Sequence, residues 1–147
     1  MQNNREPIPC IEMSIEKIHE TIEKYGKAAG MMKRAGMDIV LVHGDTSTTF
    51  VTALACFYKQ IPIGHVEAGL RTYNIYSPYP EEFNRQAVSI ISKYNFAPTQ
   101  LAKENLVKEG KDENTIYVTG NTAIDAMGTT VHAGYHHEVF DWVGSDR

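Results

Sequence analysis

Asp38-Ile39-Val40-Leu41-Val42-His43-Gly44-Asp45-Thr46 is the stretch on which the fold turns. Ile39 to Val42 form an unbroken aliphatic run, with none of the polar alternation of a half-solvated strand. Such a run suits a strand buried on both faces of a parallel sheet. Gly44 closes it, and residues 47–60 return to helical periodicity. Upstream, Ile11, Ile15, Ile18, Ile22 and Tyr25 recur at spacings of three and four, predicting a helix over residues 11–37. Gly26 and Gly30 weaken its far end and are candidate break points.

Downstream the alternation repeats. Strands are expected at 61–66, 94–98 and 115–119, and helices at 80–92, 99–109 and 121–131. Short apolar strands alternating with helices give βαβ units and an open parallel sheet with flanking helices, an α/β fold. Residues 133–147 read as a polar, aromatic tail, either a short helix or a linker.

A chain of 147 residues fits one domain, and 42% hydrophobic with 22% charged residues is ordinary for a globular protein. The formal charge of −4 comes without a clustered basic stripe, which argues against a nucleic-acid partner. Cys10 and Cys56 lie far apart, and Cys56 falls in an apolar helical run where a reduced thiol acts as a small hydrophobe. They form no disulfide framework. No signal peptide follows Met1, and no apolar run approaches the roughly 20 residues of a membrane span. These features predict a soluble, cytoplasmic protein with no membrane partner.

Ligands of open parallel sheets bind beyond the carboxyl ends of the strands. The segments leaving those ends are His43-Gly44-Asp45-Thr46, Glu67-Ala68-Gly69-Leu70-Arg71-Thr72, Pro98-Thr99 and Gly120-Asn121-Thr122. The connection over residues 68–79 is long for this position, and long rim loops tend to carry function.

Each candidate at the rim has two readings. Asp45 is either a helix N-cap, with Thr46 and Ser47 as rival caps, or a ligand-facing carboxylate. Glu67 either pairs structurally with Arg71 or is tuned for proton transfer. Glu81 and Glu82 follow Pro80 as ordinary first-turn acids, yet their helix ends the loop that Glu67 begins. Asn84 and Arg85 lie a turn further on. Asn121 follows a glycine between strand and helix, and Asp125 reads as a first-turn acid. His43 and His65 are strand-end hydrogen-bonders or ligand contacts. His132, His136 and His137 lack the cysteine or carboxylate that would complete a metal set, so no metal is expected. Neither a dinucleotide-binding Gly-x-Gly-x-x-Gly nor a phosphate-loop motif is present.

Taken together, Val42-His43-Gly44-Asp45-Thr46, Gly64-His65-Val66-Glu67-Ala68-Gly69-Leu70-Arg71-Thr72, Pro80-Glu81-Glu82-Phe83-Asn84-Arg85 and Val118-Thr119-Gly120-Asn121-Thr122-Ala123-Ile124-Asp125 resemble, in order and spacing, the non-hydrolysing UDP-N-acetylglucosamine 2-epimerases. The resemblance runs from about Asp38 onward. It implies a Rossmann-like domain, one half of a two-domain architecture like that of glycosyltransferase B. On this reading residues 1–147 are one domain, with 1–37 a poorly matched helical lead-in, 38–132 the core and 133–147 a linker-like tail.

The resemblance also implies interconversion of UDP-GlcNAc and UDP-ManNAc by inversion at C2, without redox cofactor or metal. UDP leaves as the C2 proton is lost, and adds back as a proton arrives on the other face. The family's acids fall on Asp45, Glu67 and Glu81, the first two read as the proton-transfer groups. His43, Thr46, Arg71, Asn84, Arg85 and Asn121 become candidate substrate contacts, and a homodimer is expected. The family's opening Gly-Thr-Arg-Pro-Glu loop and its second, nucleotide-binding domain find no match here. The isolated chain is therefore expected to be inactive or nearly so. Competing readings are a non-catalytic binding or dimerisation domain, a hydrolysing relative that releases UDP and ManNAc, and glycosyl transfer.

Overall fold

A computed structural model describes residues 14–131, 134, 136 and 137. The expected helix start at residue 11, Cys10, His132 and most of the expected tail lie outside the described residues. Along the chain run α1 (Ile15–Arg34), β1 (Val40–His43), α2 (Ser47–Tyr58), β2 (Ile63–Val66), α3 (Glu81–Ile91), β3 (Tyr94–Ala97), α4 (Gln100–Lys108), a 3-10 turn (Glu113–Thr115), β4 (Ile116–Val118) and α5 (Thr122–Thr130).

The four strands form one parallel sheet in the order β1-β2-β3-β4. Each crossover advances to the next strand by way of a helix. Right-handed crossovers that all advance one way place their helices on a single face. Val42, Ile63 and Val88 pack there with Ala53 and Cys56 of α2. Ala97 and Ile116 meet Ala102 and Leu106 of α4. Side chains of the opposite parity face away, so Leu41 is 61% exposed and Tyr117 48%.

The expected elements are present, with shifts at their ends. β1 begins at Val40 rather than Asp38, and β2 at Ile63 rather than Ile61. Ile61 is still buried, but its amide closes the end of α2 on the Cys56 carbonyl at 3.0 Å. α1 runs unbroken through Gly26 and Gly30. Each glycine costs about 1 kcal/mol against alanine. Contacts offset this: Ala29 is buried and Met32 packs on the core. The helix stops at Ala35 and Gly36, the latter with φ +71°.

α4 opens on Thr99, whose hydroxyl accepts the Ala102 amide at 3.1 Å. Thr99→Ala should therefore lower stability by about 1 kcal/mol, read as a reduced urea midpoint with an unchanged slope.

Gly69 (φ +89°) lies so close to α4 that a Cβ there would collide with the Ala102 carbonyl. Asn105 donates to the Gly69 carbonyl at 2.9 Å. The long connection after β2 is thus laid along α4 from its start. No described helix is long and apolar enough to cross a membrane.

Candidate active site

The rim is assembled from the ends of β1 and β2 and the starts of α3 and α5. Gly44 turns the chain out of β1 with φ +72°. Its amide donates to the Val66 carbonyl at 3.0 Å, and its carbonyl accepts from His65 Nε2 at 2.8 Å. Both contacts tie the turn to β2, so the position of Asp45 is set by the neighbouring strand.

Thr46, rather than Asp45, caps α2: its hydroxyl accepts the Thr49 amide at 3.2 Å. That leaves the Asp45 carboxylate for α3. Arg85 grips Asp45 Oδ2 through Nε at 2.9 Å and Nη2 at 2.7 Å. Asn84 donates to the Asp45 backbone carbonyl at 2.8 Å. Two of the candidate substrate contacts, Asn84 and Arg85, therefore spend donors on holding Asp45.

Glu67 leaves β2 with φ +65°, a left-handed backbone that costs a non-glycine residue about 1–3 kcal/mol and tends to persist at functional sites. Its Oε1 accepts the Thr122 hydroxyl at 2.5 Å and lies 3.4 Å from His43 Nε2. His43 Nε2 is also 3.2 Å from the Thr122 oxygen. With the Thr122 hydrogen committed to Glu67, that oxygen accepts from His43 Nε2–H. A chain of polar groups thus runs from exposed His43 through Thr122 to a largely enclosed carboxylate. A Cβ added at Gly44 would sit 4.0 Å from Glu67 Oε2, which places this carboxylate beside the turn that carries Asp45.

Arg71 does not pair with Glu67, which corrects one of the two readings of that carboxylate. Its guanidinium is fully buried and bidentate on Glu109, through Nε at 2.7 Å and Nη2 at 2.8 Å, while Nη1 donates to the Leu70 carbonyl at 2.9 Å. The close approach of Gly69 to α4 carries Arg71 to the end of that helix, away from Glu67. Its donors are consumed in fastening the loop, leaving little for a substrate.

The two glutamates after Pro80 separate. Glu81 opens α3 partly buried and forms no hydrogen bond or ion pair among the described residues. Glu82 is fully buried. Its Oε1 accepts the Tyr73 amide at 3.0 Å and Gln86 at 2.9 Å, and its Oε2 meets Arg85 at 3.4 Å. Burial pushes the Glu82 carboxyl upward, but hydrogen bonds from Gln86, the Thr72 and Tyr73 backbone and Arg85 outweigh it, so its pKa lies below the ordinary value.

Asn121 caps α5, accepting the Ala123 amide at 2.9 Å. Its neighbour Thr122 is the rim residue that sequence reasoning left without a role. The only signal for it was its place beside a cap at the same sheet edge as Glu67. No group of three or more His, Cys, Asp or Glu able to hold a metal occurs among the described residues.

Two carboxylates leaving adjacent strand ends, one gripped by a guanidinium and the other joined to a hydroxyl and an imidazole, can move protons on a ligand lying over the rim. A family model described as UDP-N-acetylglucosamine 2-epimerase matches residues 14–142. The chain belongs to this family. It is 53% identical over 144 residues to the UDP-N-acetylglucosamine 2-epimerase of Bacillus subtilis, covering 95% of this chain and 38% of that relative. A crystal structure of a UDP-N-acetylglucosamine 2-epimerase aligns over 92% of the chain and 38% of its own length, with TM-score 0.80 and 53% identity. The Neisseria meningitidis epimerase, solved bound to UDP-GlcNAc, aligns with TM-score 0.71 and 46% identity over 81% of this chain and 32% of its own. The chain thus spans well under half the length of the epimerases it matches. The parallel sheet with its flanking helices is the part of the epimerase fold it shares with them.

Proposed function

We propose that this chain supplies the proton-transfer carboxylates of an enzyme that interconverts UDP-GlcNAc and UDP-ManNAc. The observation that carries the reading is the placement of Asp45 and Glu67 at the ends of adjacent parallel strands, on one rim, in a family whose Neisseria meningitidis member binds UDP-GlcNAc. In the forward step one carboxylate takes the C2 proton, and the C2–H electron pair forms a C1–C2 double bond. The C1–O bond breaks and UDP departs with its electrons, giving a 2-acetamidoglucal. In the return step UDP adds at C1 while a proton reaches C2 from the opposite face.

Asp45 and Glu67, held on two different strands, are the pair assigned to opposite faces, and Glu81 assists at the edge. Arg85 and Asn84 are assigned to orienting Asp45, and His43 with Thr122 to orienting Glu67. Thr46 and Asn121, at the exposed starts of α2 and α5, are the remaining candidate sugar or phosphate contacts. The sheet is the first half of a two-domain architecture, with residues 1–37 as lead-in and the nucleotide gripped largely by the second domain. The same reading gives a cytoplasmic homodimer that supplies nucleotide sugars for cell-surface polysaccharide.

The test exchanges residues 14–131 into the Bacillus subtilis epimerase in place of the matching segment, and follows the anomeric protons of UDP-GlcNAc by NMR. Appearance of UDP-ManNAc supports the reading. Release of UDP and ManNAc moves it to hydrolysis. A folded chimera that turns over nothing sinks it.

A further inference from the structure

One row of the sheet crosses all four strands in register: Val42, His65, Asn95 and Ile116. Laterally paired residues of a sheet point to the same face, and this row lies on the face covered by helices. Its ends are apolar, yet its two central members are polar and fully buried. Such groups rarely stay unpaired in a folded protein, because each was hydrogen-bonded to water before folding.

His65 is half accounted for. Its Nε2 lies 2.8 Å from the Gly44 carbonyl, which can only accept, so Nε2 carries the hydrogen. Nδ1 is then a lone-pair acceptor, and it is buried with no partner among the described residues. Asn95 is buried beside it with both its amide nitrogen and its amide oxygen unpartnered. Three polar atoms on adjacent strands, a donor and two acceptors, supply the two to four polar partners that one enclosed water molecule needs.

We propose that a buried water joins Asn95 to His65 Nδ1, and that Asn95 is thereby a positioning residue for Asp45. The linkage runs from the Asn95 amide through the water to Nδ1, and from Nε2–H to the Gly44 carbonyl. Because Gly44 immediately precedes Asp45, fixing the imidazole fixes the turn that aims the carboxylate. Burial above all holds the ring neutral, bringing its pKa down to about 4, so near neutral pH one tautomer carries the linkage. Only the catalytic consequence depends on the epimerase reading; the water and the tautomer do not.

The experiment is proton–nitrogen NMR on the full 147-residue chain, labelled with nitrogen-15. In the wild type, His65 should show a protonated Nε2 and an unprotonated Nδ1, and the Asn95 side-chain amide protons should show cross-relaxation to a long-lived water. Asn95→Leu should abolish that water contact and shift the Nδ1 resonance toward a free imine nitrogen. The Gly44 and Asp45 backbone amides should move with it. Asn95→Thr, which keeps a hydroxyl on a strand-compatible side chain, should retain the water and restore all three resonances. A proton on Nδ1, no water contact in the wild type, or an Asn95→Leu spectrum unchanged at His65 and Gly44 would each overturn the proposal. The wild-type measurements stand even if Asn95→Leu fails to fold. None involves turnover, so a failed epimerase reading and a failed water bridge are told apart.

Discussion

Asp45→Asn and Glu67→Gln, each introduced into the Bacillus subtilis chimera, should lower kcat by about 10²- to 10⁴-fold, the range over which positioned acid–base groups act. Both changes keep shape and remove the capacity to exchange a proton. Asparagine can still accept from Arg85, which holds Asp45 Oδ2 at 2.7 Å and 2.9 Å, and Asn84 binds the backbone carbonyl, which is untouched. The turn should therefore stay in place, and circular dichroism should match the parent. Incorporation of solvent deuterium at C2 reports proton transfer directly and should fall in step with kcat. Turnover within a few-fold of the parent for either variant would remove that residue from the proton-transfer pair. Thr122→Val deletes the 2.5 Å donor to Glu67 while keeping the side chain's volume. A hydrogen bond to a charged group contributes about 1.5–3 kcal/mol, so kcat should fall roughly ten- to hundredfold. An unchanged rate would make that contact purely structural.

What the sequence carried was local. The aliphatic run at Ile39 to Val42 and the helical periodicities on either side give a parallel sheet without any knowledge of tertiary contacts. The burial on both faces expected of that run is not met: β1 buries Val42 under the helices and leaves Leu41 61% exposed on the other face. The rim followed from the same pattern, which is why Asp45, Glu67 and Thr122 lie in the strand-end segments expected there, with Asn84 and Arg85 a turn into the helix that ends the long loop. Partner choice was less accessible. Arg71 lies four residues from Glu67 and 38 from Glu109, and sequence distance favours the wrong carboxylate. The deciding contact is Gly69 against the Ala102 carbonyl, a packing fact with no local signature beyond a glycine. Glu81 and Glu82 are likewise alike as first-turn acids. The helix turns one outward and the other into the protein, and only the fold shows that the Tyr73 amide waits for Glu82. The cap of α2 fell among three adjacent candidates, and side-chain reach gave it to Thr46.

Glu82 carries the largest expected effect on stability. It is a fully buried carboxylate that ties α3 to the long loop through the Tyr73 amide, and it also holds two side chains of its own helix: Gln86, a turn along, and Arg85, which in turn holds Asp45. Glu82→Ala would leave the Tyr73 N–H and the Gln86 amide without their acceptor and would strip one anion from beside the Arg85 cation. Breaking a buried, paired charge costs about 3–5 kcal/mol, a large part of the about 5–15 kcal/mol that holds a domain together. Thermal unfolding should move down by roughly 10 °C or more. Glu82→Gln keeps an acceptor of the same shape and should lose less near neutral pH. The difference between wild type and this variant should then depend on pH in one direction. The folded-state pKa of Glu82 lies below the ordinary value of 4.5, so the unfolded chain takes up the proton first as pH falls. The carboxylate's contribution is complete above pH 4.5 and is lost below it. His65 acts in an earlier window: with its pKa depressed from 6.5 to about 4, it drains stability as pH falls through that interval, and does so equally in both proteins. Subtracting the two stability curves therefore cancels the histidine. It should leave a gap that is flat from pH 7 to about 5 and narrows below 4.5. A gap that widens with acid would mean that Glu82 is held protonated in the fold, and that Arg85 belongs to Asp45 alone.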